Sequence, residues 1–110
     1  MEEVQYIQVM TTVDDADGAQ DIANALVGAR LAACVQVVGP ITSTYWWQGE
    51  INSAQEWLCL AKTRADLYPQ VEAAIRAAHS YDIPEILALP VVAGSNSYLG
   101  WVEAETIGDQ

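Results

Sequence analysis

The chain has 110 residues, enough for one domain, and 52% of them are hydrophobic, which excludes a disordered polymer. Fifteen acidic residues against four basic ones give a net charge of −11. That balance argues against nucleic acid and anionic membranes, which are held by clustered Lys and Arg, and it reads as surface solubility or adaptation.

Met1-Glu2-Glu3 opens the chain without the apolar stretch of a signal peptide. No apolar run approaches the roughly 20 residues needed to span a bilayer. Two cysteines, Cys34 and Cys59, are too few for a disulfide framework. A cytoplasmic protein with reduced thiols is expected.

Val4–Thr12 alternates and predicts a first strand. Asp14 and Asp15 supply N-cap oxygens. Ala19, Ile22, Ala23, Leu26 and Arg30 fall at helical spacing and predict a helix over residues 16–30. Leu31–Val38 is an apolar run of strand type, bent or bulged at Gly39-Pro40 and resumed by Ile41–Trp47. Gln48-Gly49-Glu50 is a hairpin turn, and Ile51–Thr63 returns as a long strand. Trp57, Cys59 and Ala61 share one of its faces; Leu58, Leu60 and Lys62 share the other.

A second helix begins near Ala65 or Asp66, because Pro69 must lie in a first turn. Its inner face is Leu67, Val71, Ala74, Ile75 and Ala78. Glu85–Val92 predicts a fourth strand, with Pro90 pointing to an edge or a bulge. Ser95, Asn96 or Ser97 caps a short last helix over Tyr98–Thr106.

The order is that of an α+β, ferredoxin-like βαββαβ domain over residues 1–110, with an extended β2–β3 hairpin and a short C-terminal helix. The two hairpin strands run past ten residues each, where five or six are usual. A two-helix layer does not cover that length, so the far end projects with Tyr45, Trp46, Trp47 and Trp57 as candidates on it. Exposed aromatics mark an interaction surface, so the ribbon is expected to pack on a second copy. The alternative is that Tyr98–Ile107 folds back over the rings.

Several segments occur together in a familiar order: Leu31-Ala32-Ala33-Cys34-Val35, Tyr45-Trp46-Trp47-Gln48-Gly49, Leu60-Ala61-Lys62-Thr63, His79-Ser80-Tyr81-Asp82-Ile83-Pro84-Glu85-Ile86, Ala88-Leu89-Pro90 and Tyr98-Leu99-Gly100-Trp101. Over residues 4–106 the chain resembles the CutA family, the divalent-cation tolerance proteins. The resemblance implies a homotrimer whose hairpins pack at the subunit interfaces, and a link to tolerance of copper and other divalent ions. It also implies likeness in fold to PII signalling proteins, which bind nucleotides between subunits. An intersubunit cleft is implied at Lys62, Tyr81, Glu85, Tyr45, Trp47 and Glu56.

The only histidine, His79, matches one copper-ligand position implied by the resemblance. Ala78 and Thr11 stand at the other two. Cu2+ or another divalent cation is therefore expected to bind weakly, at His79 and surface carboxylates, because stable sites need three or four ligands. In a hairpin turning at Gly49, Cys59 falls opposite Val38 or Gly39 and shares no site with Cys34. Asp14, Asp15, Asp17 and Asp21 match no calcium-loop spacing and are read as helix-start charges. Lys62, the only lysine, is expected to pair with Glu85 or Glu56, or to bind an anion. A sensor of a small anionic metabolite or nucleotide at the cleft, with Lys62, Arg64 and Arg76 as its cations, is the alternative function. No nucleophile elbow, phosphate loop or zinc signature is present, so no enzyme is expected. A catalytic reading would fall to His79, Tyr81 and Glu85.

Overall fold

A computed structural model describes residues 3–107. Met1 and Glu2, on which the expectation about a leader rests, lie outside the described residues, as do residues 108–110. The elements are β1 (Tyr6–Val13), α1 (Ala16–Gly28), β2 (Cys34–Trp47), β3 (Glu50–Arg64), α2 (Tyr68–Ala78), β4 (Leu87–Pro90) and α3 (Asn96–Glu105). The sheet order is β2-β3-β1-β4, antiparallel throughout. This is the ferredoxin-like α+β arrangement the sequence predicts.

Alternation along β1 puts Ile7, Val9 and Val13 on one face, where they meet Cys59 and Ala61 of β3. Ile22 and Leu26 of α1 and Val71 and Ile75 of α2 close over them. Each of these large aliphatics contributes about 1.5–3 kcal/mol by burial. The Asp15 carboxylate caps α1 by accepting from the Gly18 backbone N–H. Ser95 caps α3 in the same way through Tyr98.

The long hairpin carries one irregularity. Val38 pairs with Leu58 and Ile41 with Glu56, so Gly39 and Pro40 together oppose Trp57. That is a β-bulge. A Cβ on Gly39 would overlap the Trp57 indole, so glycine is what lets the ring lie across the bulge. The turn needs positive φ at both residues, and Gln48 (51°) and Gly49 (80°) adopt it, as a two-residue hairpin of this type requires.

β1 ends at the Val13–Trp57 pair. Beyond it the hairpin continues alone from the Ile41–Glu56 pair to the Trp47–Glu50 pair. At about 3.3 Å per residue this ribbon projects roughly 20 Å past the sheet.

Several boundaries differ from expectation. β1 starts at Tyr6 and reaches Val13, two residues and one residue later than predicted. α1 ends at Gly28 and not at residue 30, because Arg30 turns left-handed (φ 57°) and its N–H bonds back to Val27. Leu31 and Ala32 are buried but precede β2. A 3-10 turn, Ala65–Leu67, leads into α2, so the helix proper starts at Tyr68 and Pro69 falls in its first turn. Ala78 is exposed, not on the inner face. Trp57 packs against the core and does not project. β4 is only Leu87–Pro90, an edge strand with every residue exposed, which is where proline is tolerated.

The alternative cover for the hairpin aromatics fails. α3 lies at the opposite end, where Glu103 takes the Tyr6 hydroxyl at 3.0 Å and the Arg64 guanidinium at 3.3 Å. Trp46 stays 70% exposed.

Candidate functional site

Where the hairpin leaves the sheet, the α2–β4 connection runs beneath it. The space between them is a cleft of about 700 Å³. Ser43, Thr44, Tyr45, Trp46, Trp47 and Glu56 line its hairpin side; Tyr81, Asp82, Ile83 and Glu85 line the other. The pairing Ser43–Ala54, Tyr45–Asn52, Trp47–Glu50 and Ile41–Glu56 puts Ser43, Tyr45, Trp47 and Glu56 on one face of the ribbon. Trp46 and Ile51, themselves a cross-strand pair, share the other face with the hydrogen-bonded Thr44 and Ser53.

Glu56 sits at the corner, one residue past the last β1–β3 pair. It is 7% exposed. The Tyr81 hydroxyl donates to its Oε2 at 2.7 Å. Burial first, and then this carboxylate, push the Tyr81 hydroxyl well above the usual tyrosine range, with Asp14 adding to the effect.

His79 positions Tyr81. Its Nε2–H donates to the Thr12 carbonyl at 2.7 Å, and its Nδ1 accepts from the Tyr81 backbone N–H at 3.1 Å. A carbonyl only accepts, so the proton is on Nε2. The two rings stack tilted with centroids 4.6 Å apart. Both nitrogens of His79 are thus engaged by backbone, and a metal ion there must displace one of the bonds. Thr11 is 1% exposed, on the helix-covered face between Val9 and Val13, and its hydroxyl has no partner. Ala78 offers no donor atom. Among the described residues no three His, Cys, Asp or Glu side chains group as metal ligands. The residues of one chain do not fit the copper ion that the resemblance implies.

The structure gathers Tyr45, Trp47, Glu56, Tyr81 and Glu85 at this cleft and leaves Lys62 out. Lys62 lies six residues along β3 from Glu56, roughly 20 Å away, and its ammonium donates to Gln36 Oε1 at 2.7 Å. It pairs with neither Glu56 nor Glu85 within the chain. Gln36 went unpredicted, though it is a diagonal neighbour of Lys62 once the Cys34–Lys62 and Gln36–Leu60 pairs are known. Cys59 pairs with Val37, one residue from the predicted partner, because the bulge shifts the register. It is buried, with its thiol pushed up by desolvation, and far from Cys34 along the strands. Asp14, Asp15, Asp17 and Asp21 are exposed, and Asp15 serves as the cap.

The CutA1 divalent ion tolerance protein model matches residues 7–105. The chain belongs to the CutA1 family. It is 45% identical over 106 residues to the divalent-cation tolerance protein CutA of Thermus thermophilus, covering 96% of this chain and 99% of that one. A chloroplastic CutA protein of Arabidopsis thaliana is 40% identical over 94% of this chain, which spans 57% of that longer protein. Among solved structures, the Thermus thermophilus divalent cation tolerance protein superposes with a TM-score of 0.89 at 44% identity, covering 92% of this chain and 98% of the other.

Proposed function

We propose that this CutA1-family chain is a divalent-ion tolerance protein that works as an assembly of three copies, with a binding or regulatory role. The relatives named for divalent-cation tolerance support the first part. The observation that carries the second is the outer face of the ribbon. Trp46 (70% exposed) and Ile51 (65%) stand directly opposite one another, with nothing among the described residues to cover them. An apolar pair on a two-stranded ribbon is a surface for another molecule.

Both sheet edges add to this. β2 and β4 are the outer strands, and β4 exposes Leu87 and Leu89 as well as its open backbone. Two different open edges on one molecule favour head-to-tail contacts that close a ring. Divalent ions meet such a protein weakly, at surface carboxylates, since one chain groups no three donors among the described residues. The free thiols of Cys34 and Cys59 suit the reducing cytoplasm.

Light scattering tests the assembly. Wild type is expected at three times the chain mass, and the double variant Trp46→Glu, Ile51→Glu at a lower mass. A monomeric wild type at micromolar concentration would sink the reading.

A further inference from the structure

We infer that Trp57 is the positioning residue of the projecting ribbon. Its indole, wedged into the notch left by the missing side chain of Gly39, fixes the direction in which the ribbon leaves the sheet. The inference rests on the reading of this chain as an assembly, because that direction decides where the ribbon's outer face meets a second copy.

The first observation is that the ring requires the glycine. An ideal Cβ at Gly39 would stand 2.7 Å from the Trp57 Cγ and 2.9 Å from its Nε1, closer than side chains pack. The backbone makes no such demand. Among the described residues positive φ occurs at Arg30, Gln48 and Gly49, and not at Gly39, so no left-handed turn calls for glycine there.

The second observation is where the contact lies. Trp57 pairs with Val13 at the last rung between β1 and β3. It opposes Gly39 and Pro40 at the bulge, and it packs against the core. The free ribbon begins at the next pair, Ile41–Glu56. One ring thus joins the core, the bulge and the root of the ribbon.

The third is mechanical. A bulge bends its strand and adds twist, and a two-stranded ribbon alone is only marginally stable. Over a length of roughly 20 Å, a swing of about 15° at the root carries the tip about 5 Å, one strand spacing. A ring anchored in the core and seated across the bulge removes that swing. It also holds the adjacent Glu56 within reach of Tyr81, whose hydroxyl donates to it at 2.7 Å. The contact lies within one chain and requires no open surface.

The test compares Gly39→Ala, Trp57→Val and the double variant. Light scattering over a dilution series reads association. Residual dipolar couplings of backbone amides read the angle between ribbon and sheet, in the Trp46→Glu, Ile51→Glu background where no second copy steadies the ribbon. Gly39→Ala is expected to turn the ribbon and to weaken association by about tenfold or more, with α1 and α2 amide shifts unchanged. In Trp57→Val the ribbon couplings should fall through averaging. Adding Gly39→Ala to that variant should change neither reading, since the ring it would meet is gone. A purely structural role would lower the urea midpoint and leave the ribbon's angle alone. Wild-type couplings in folded Gly39→Ala, or equal effects of Gly39→Ala with and without the ring, would overturn the proposal. If one single variant does not fold, the couplings of the other decide. A monomeric wild type sinks the assembly alone, because the couplings still report the angle. An assembled wild type whose ribbon ignores both substitutions sinks this inference alone.

Discussion

Tyr81→Phe is the sharpest perturbation of the cleft, because it removes one oxygen and little else. That hydroxyl makes a 2.7 Å bond to a carboxylate only 7% exposed. Hydrogen bonds to charged groups are worth about 1.5–3 kcal/mol. Tyr81 itself is half-buried, which favours the lower part of that range, so the expected loss is about 2 kcal/mol. In a Glu56→Ala background the acceptor is gone, and the same change should cost close to nothing. The coupling energy of the double-mutant cycle is then about 2 kcal/mol. Urea denaturation followed by far-ultraviolet circular dichroism measures it, because nearby Trp47 would confound fluorescence. Chain concentration must be fixed across the four proteins, since association contributes to apparent stability. If Tyr81→Phe costs the same with and without the Glu56 carboxylate, the two groups do not bond and the reasoning about the cleft fails.

Thr11→Val should stabilise the protein by about 1 kcal/mol, since it removes a buried hydroxyl that has no partner; a lower urea midpoint would show that the hydroxyl is satisfied. Stability should also fall as pH rises above about 10. Tyr81 is harder to ionise folded than unfolded, so the unfolded chain gives up its proton first and the contribution, complete below that pH, is lost above it. Tyr6, Tyr68 and Tyr98 shift in the same direction, so Tyr81→Phe should flatten the alkaline slope without abolishing it, as read from urea midpoints across pH.

The elements were legible because each carries a local signal. Alternation marked β1 and β3, Asp15 and Ser95 marked helix starts, and Gln48-Gly49 marked the turn. The overlong hairpin was legible from strand length alone. Positions depending on register were not. The extra residue at Gly39-Pro40 moves every pair below it by one, which displaced the partner of Cys59 and hid the Lys62–Gln36 contact. Trp57 looked like a projecting ring because its binding place is a missing Cβ at Gly39. Such a complementarity appears only once the strands are paired. The resemblance grouped Lys62 with Tyr81 and Glu56, a set that one chain does not bring together.

One geometric fact accounts for both surfaces of interest. β1 stops at Val13 while its neighbour β3 pairs onward with β2, so the ribbon has no sheet beside it and both its faces open to other molecules. Strand alternation then divides the aromatics of Tyr45-Trp46-Trp47 between those faces. The even position pairs with Ile51 on the outer face while still bordering the cleft, and the odd positions share the face of Glu56. Substitution at Ile51, which does not border the cleft, should therefore change association and leave the cleft intact, whereas Glu56 and Tyr81 should change the cleft. A one-residue slip in the hairpin would exchange the two sets. The bulge lies on the sheet side of the Ile41–Glu56 pair, so the tight turn at Gln48-Gly49 sets the ribbon's register independently of it.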